Sequence, residues 1–172
     1  AEVEIRGVEI ETELRTERGF VFQAAASYLR NEFSEYRSFD PDQGTDLDLS
    51  NRNIADLTPD YTLNAAVQYS FNLSDGASIT PRFGVYWQDD YDYIGGFSDE
   101  PPSECNQEAY SKLNARITWQ SSDGDRLVSL FGTNVSDELI LHTCIESGIT
   151  GRRIQYKPPA RWGIEATFLF GR

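Results

Sequence analysis

The chain has 172 residues and sets 28 acidic against 15 basic side chains, a net charge of −13. That balance excludes general affinity for nucleic acid, whose phosphates it would repel. A mean hydropathy of −0.51 excludes a membrane-spanning helix, but not a membrane β-barrel, whose strands alternate apolar and polar residues and are hydrophilic on average.

Taken in chain order, the dominant signal is a period of two. Val8, Ile10, Thr12 and Leu14 alternate with Glu9, Glu11 and Glu13, and a short turn at residues 16–19 leads into Phe20, Phe22, Ala24, Ala26 and Tyr28. Tyr61, Leu63, Ala65, Val67, Tyr69, Phe71 and Leu73 form the clearest apolar face, with Thr62, Asn64, Gln68 and Ser70 opposite. Such alternation predicts strands, since a helix would scatter these residues around its circumference. The turn Ser74-Asp75-Gly76-Ala77, in which Gly76 can take positive φ, leads to Ile79, Pro81, Phe83, Val85 and Trp87. Pro81 removes a ladder donor from that strand, and a bulge is the expected remedy. Leu113, Ala115, Ile117 and Trp119 follow, then the turn Ser121-Ser122-Asp123-Gly124-Asp125 and a strand over residues 126–135. In this strand Leu127 and Phe131 compete with Val128 and Leu130 for the apolar face. The chain closes on Trp162, Ile164, Ala166, Phe168 and Phe170.

Seven strands result, joined alternately by short turns and by long connections at roughly residues 33–59, 90–107 and 136–159. A soluble sandwich has no reason to make every second connection long. An outer-membrane barrel does, because its periplasmic turns are short and its extracellular loops long. The apolar faces of the clearest strands carry no charge, while Asn64, Gln68, Arg82, Arg116 and Glu165 lie opposite, as a lipid face and a wet lumen require. Tyr61, Phe71, Trp87 and Trp119 suit interfacial girdles. The fold class is therefore all-β, an antiparallel transmembrane β-barrel portion of about seven strands. Because bacterial single-chain barrels have an even strand count, seven points to part of a larger barrel or to one strand unseen.

Cys105 and Cys144 fall in long connections on one side of the sheet and can pair as a disulfide, or stand as two unrelated thiols. With His142 the single histidine, no metal-ligand set and no catalytic constellation is present, and neither enzyme activity nor a cofactor is expected. Asp40, Asp42, Asp46 and Asp48, and Asp89, Asp90, Asp92, Asp99 and Glu100, mark the first two long connections. They read as solvated loop charge, with cation-bridged contact to lipopolysaccharide as the functional alternative.

Three segments resemble the C-terminal third of a TonB-dependent outer-membrane receptor. Leu57-Thr58-Pro59-Asp60-Tyr61-Thr62-Leu63-Asn64-Ala65-Ala66-Val67-Gln68-Tyr69 is similar to that family's Pro-led strand after a long loop. Leu130-Phe131-Gly132-Thr133-Asn134-Val135-Ser136-Asp137-Glu138 is similar to its penultimate strand running into an acidic turn. Pro158-Pro159-Ala160-Arg161-Trp162-Gly163-Ile164 through Phe170 resembles its closing strand. The resemblance implies that residues 1–172 are the C-terminal segment of a barrel of about 22 strands, with the plug domain absent. It further implies residence in the outer membrane of a Gram-negative bacterium and a part in TonB-energised uptake of a scarce ligand such as a ferric siderophore or cobalamin. The expected partners are outer-membrane lipid and lipopolysaccharide, the rest of the barrel and its plug, and TonB only through the missing N-terminal part. Within that frame Arg82, Tyr86, Tyr91, Tyr93 and Arg116 are the candidate ligand-binding residues. Arg82 and Arg116 have a structural alternative, a lumen network with Glu165; the tyrosines, with Trp87, have one in girdle and loop packing. A small stand-alone outer-membrane barrel (pore or structural) and a soluble all-β binding domain remain the other readings.

Overall fold

The computed structural model describes residues 2–40, 44–48, 50, 58–92, 103–147 and 151–170. Its strands in chain order are β1 (Glu2–Arg15), β2 (Phe20–Glu35), β3 (Arg37–Asp40), β4 (Thr45–Asp48), β5 (Tyr61–Tyr69), β6 (Phe71–Asn72), β7 (Ser78–Gln88), β8 (Tyr91–Asp92), β9 (Asn106–Gln107), β10 (Tyr110–Gln120), β11 (Arg126–Thr133), β12 (Leu141–Ser147), β13 (Gly151–Tyr156) and β14 (Arg161–Phe168). Seven of them form one wall in the order β1-β2-β5-β7-β10-β11-β14, every neighbour antiparallel, with β6 continuing β5 along β7. β1 and β14 are the two ends of the order, so the wall is an open sheet among the described residues.

The three short turns share one construction at one end of the sheet. Gly19, Gly76 and Gly124 all adopt positive φ, at 89°, 87° and 75°. Each donates its N–H to a carbonyl three residues back, Thr16, Leu73 and Ser121 respectively. At the other end the long connections are themselves paired. β3–β4, β8–β9 and β12–β13 are two-stranded hairpins, so the expected loops are in good part strand. β2 also runs to Glu35, well past Tyr28.

Register assigns the two faces. Row by row, Leu14, Phe22, Val67, Phe83, Ala115, Gly132 and Trp162 lie side by side, as do Ile117, Leu130 and Ile164. β11 therefore turns Val128 and Leu130 to the apolar face, and Leu127 and Phe131 to the polar one. The bulge expected at Pro81 is absent. Gln68 pairs Arg82 and Phe71 pairs Ile79 in one continuous register. The missing proline donor instead opens a gap in the ladder between β5 and β6, across which the Ser70 and Thr80 hydroxyls bond at 2.8 Å.

Aromatic side chains on the apolar face form two bands oblique to the register. At the hairpin end Tyr28 and Tyr61 share a row, Trp87 lies one row further down and Trp162 three. At the turn end Phe20 and Tyr69 share a row, Phe71 and Trp119 lie one row lower, and Phe168 two. A drop of two to three rows across five strand spacings corresponds to a tilt of roughly 30–40°, close to that of strands in closed barrels. The apolar face is otherwise exposed, with Ile10, Leu63, Phe83, Leu130 and Ile164 at 50–77% of full accessibility. Apart from Ala77 in a turn, the buried hydrophobic residues Tyr91, Cys105, Tyr110, Ile140, Leu141 and Cys144 all lie at the hairpin end.

Candidate functional site

On the polar face, register brings Arg82 and Arg116 directly opposite one another on β7 and β10. Like charges in that position repel, and each arginine is held by separate partners. Arg82 donates to Gln68 Oε1 at 3.0 Å and to Gln23 Oε1 at 2.7 Å, and Gln23 Nε2 donates in turn to Glu13 at 2.7 Å. Arg82, Gln23 and Glu13 border a hollow of about 360 Å³. Arg116 pairs with Glu165 at 2.9 Å and lies 5.5 Å from the Phe131 ring centroid. A single network joining both arginines to Glu165 is thus replaced by two, because the wall places the cations face to face.

The tyrosines divide by position. Tyr86 is half-buried on the polar face, and its hydroxyl and that of Tyr110 both donate to Gln88 Oε1, at 3.1 and 2.8 Å. Trp87, its neighbour in sequence, projects to the apolar face. Tyr91 is buried and donates to the Leu141 carbonyl at 3.3 Å, tying β8 to β12. Tyr93 lies outside the described residues. Beside Tyr91, Cys105 and Cys144 are joined as a disulfide with Cα atoms 5.6 Å apart, and Leu141 and Ile154 pack against it. The Leu141 N–H donates to Gln107 Oε1 at 2.6 Å. The connections β7–β10 and β11–β14 are therefore stitched into one cap over the end of the wall.

The segment 139–142 divides two hollows of opposite charge within that cap. Leu139 and Leu141 line one of about 820 Å³, bordered by Asp90, Glu104, Glu108 and Glu138. Ile140 and His142 line the other, about 350 Å³, with Lys112, Lys157 and Arg161 around it. Lys112 and Arg161 project from the polar faces of β10 and β14, and Lys157 precedes β14 with its N–H on the Ile140 carbonyl at 2.7 Å. Lys112 Nζ lies 5.5 Å from the Tyr86 ring centroid, a cation–π contact linking the hollow to that tyrosine. Among the described residues, Lys112, Lys157 and Arg161 have no carboxylate ion-pair partner. Burial, and then the Lys112 charge, hold the Lys157 amine below its ordinary value. Clustered unpaired cations in a chain of charge −13 make a place where an anion is stabilised.

Sequence reasoning overlooked these three residues. Lys112 carried a signal, since it lies on the same face of its strand as Arg116; Lys157 carried none, because only the packing of β12 and β14 brings it there.

Comparison with known proteins agrees with this architecture. The family described as "TonB dependent receptor-like, beta-barrel" matches residues 1–135. No curated protein matches. Among solved structures, that of the ferric yersiniabactin uptake receptor FyuA from Yersinia pestis is similar at a TM-score of 0.78 and 18% identity. The match covers 98% of this chain and 24% of that one, so the chain spans about a quarter of that receptor's length. With most of its length matched by the family and its wall, turns and hairpins arranged as described, the chain belongs to the TonB-dependent receptor β-barrel family.

Proposed function

We propose that this chain forms the C-terminal part of the wall, with its extracellular cap, of a receptor that takes up an anionic metal chelate of the ferric-siderophore class. Energy comes from TonB, through a plug domain and further barrel strands that this sequence does not contain, in the outer membrane of a Gram-negative bacterium. The observation that carries the ligand class is the cluster of Lys112, Lys157 and Arg161, with Tyr86 at its edge, on the lumen face beneath the cap. Cations without carboxylate partners raise the local concentration of anions and orient them through charge-assisted hydrogen bonds. FyuA, named for ferric yersiniabactin, supports an iron chelate over cobalamin. Arg82, Arg116 and Tyr86 line the path below the hollow; Tyr91 serves to hold the cap.

The test is binding of iron-55-loaded catecholate, hydroxamate and carboxylate siderophores to cells expressing the full-length receptor. One chelate is expected to bind saturably, with the Lys112→Gln/Arg161→Gln variant weakened about 10- to 100-fold at unchanged surface level. Unaltered binding of that chelate to the variant, or no binding of any chelate by the parent, would overturn the reading.

A further inference from the structure

The lipid-facing side of β1 and β2 carries a second group of charges, outside the lumen and unused by the uptake reading. Arg6 and Arg30 are directly opposite one another in register. Each lies two residues beyond Val8 and Tyr28 on the same face, so they form the first outward row above the Tyr28–Tyr61 aromatic pair, whose rings are 5.0 Å apart. Aromatic rings of this kind sit at the headgroup level of a bilayer. One row, about 6.6 Å along the strand, raises the two guanidinium groups into the phosphate layer.

We infer that Arg6 and Arg30 form an outward-facing clamp for the phosphate groups of lipopolysaccharide in the outer leaflet. Two like charges paired across adjacent strands destabilise a bare sheet, and an anion between them removes that cost. The existing partners leave room for one. Arg6 gives Nε and Nη2 to Glu4, and Arg30 gives Nε and Nη2 to Glu32, so Nη1 of each stays available. Both arginines are largely exposed, at 75% and 62%. Ion pairs this open hold their arginine weakly and share it readily with a third charge. The carboxylates belong to the next row up, Glu4 opposite Glu32, away from the aromatic band. Arginine next to the membrane surface is matched to phosphate by its planar fork. A free phosphate ion has no reason to favour this level, whereas a headgroup whose acyl chains lie along Val8, Ile10 and Tyr28 does.

The experiment measures lipopolysaccharide retained per receptor after extraction of the full-length protein in mild detergent. The Arg6→Ala/Arg30→Ala variant is expected to retain about tenfold less or lower still, whereas Arg126→Ala, an outward arginine at the periplasmic end, retains the parental amount. Because the double variant could fail to fold, Glu4→Gln/Glu32→Gln is measured beside it; by releasing both guanidinium groups it is expected to retain more than the parent. Parental retention by a folded double-alanine variant would overturn the inference. So would an equal loss in Arg126→Ala, reduced retention in the double-glutamine variant, or displacement of bound lipopolysaccharide by inorganic phosphate as readily as by lipid-anchored phosphate.

Discussion

The wall and the cap of this molecule are held by different forces. The wall is a ladder of backbone hydrogen bonds with apolar side chains turned outward, and among the described residues its buried hydrophobic side chains are Ala77 in a turn and Tyr110 where β10 meets the cap. The cap is a small water-facing core, with Leu141 and Ile154 packed against a buried disulfide and the buried Tyr91 bonded to the Leu141 carbonyl. In the proposed receptor lipid would complete the first, whereas packing completes the second. A substitution should therefore act through its face in the wall and through its neighbours in the cap.

The largest expected effect separates the two directly. Cys105 and Cys144 close a loop of 39 residues, and a bridge of that span contributes about 4 kcal/mol. Replacing both with serine is expected to open the cap to protease between β8 and β13. The wall should keep its heat-resistant mobility on gels, since each of its ladders, the β10–β11 ladder inside that loop included, is held by its own backbone hydrogen bonds. Loss of both together would show that cap and wall are one cooperative unit. Next come two adjacent positions on β5. Ala65 lies on the apolar face midway between Tyr61 and Tyr69, and Asn64 on the polar face. Ala65→Arg should cost about 2–4 kcal/mol in urea unfolding from vesicles, and Asn64→Arg within about 1 kcal/mol. Equal costs would mean that the faces are assigned wrongly.

A smaller effect is expected where the wall passes into the cap. Asn134 has φ of 52° and is buried, its side chain donating to the Glu138 carbonyl and accepting from the Glu138 N–H, at 3.0 and 3.1 Å. Asn134→Ala removes both bonds and strains the backbone, a loss of about 1–3 kcal/mol read as faster amide exchange at Glu138. This residue also shows what the sequence carries. The run Asn134-Val135-Ser136-Asp137-Glu138 could be recognised because one local turn needs an asparagine there. The strand faces were legible for the same reason, as a period of two is written in neighbouring residues. What stayed hidden depends on distant partners. The face of β11 had no local answer, and it is fixed by Ile117 on one side and Ile164 on the other. The separate partners of Arg82 and Arg116 follow from their facing register, and the cation hollow from β12, β14 and β10 meeting. None of these is a property of any one segment.

The smallest effect belongs to the short turns at the end of the wall away from the cap, where the bonded polar side chains are exposed. In the turn 121–125, Asp123 accepts from the Ser121 hydroxyl and from the Asp125 N–H, the latter at 3.0 Å. The Ser121 hydroxyl bond, then that amide bond, hold its carboxyl below the ordinary value of 3.8. Folding thus favours the ionised form. The stabilisation is complete above the unfolded value, and it is lost as pH falls from about 4 through the lower folded value. Asp123→Asn should flatten the dependence of unfolding on pH in that interval and leave it unchanged above. Because the group is fully exposed, only the slope is expected to move. A parental slope that persists in Asp123→Asn would assign the acid sensitivity to other carboxylates.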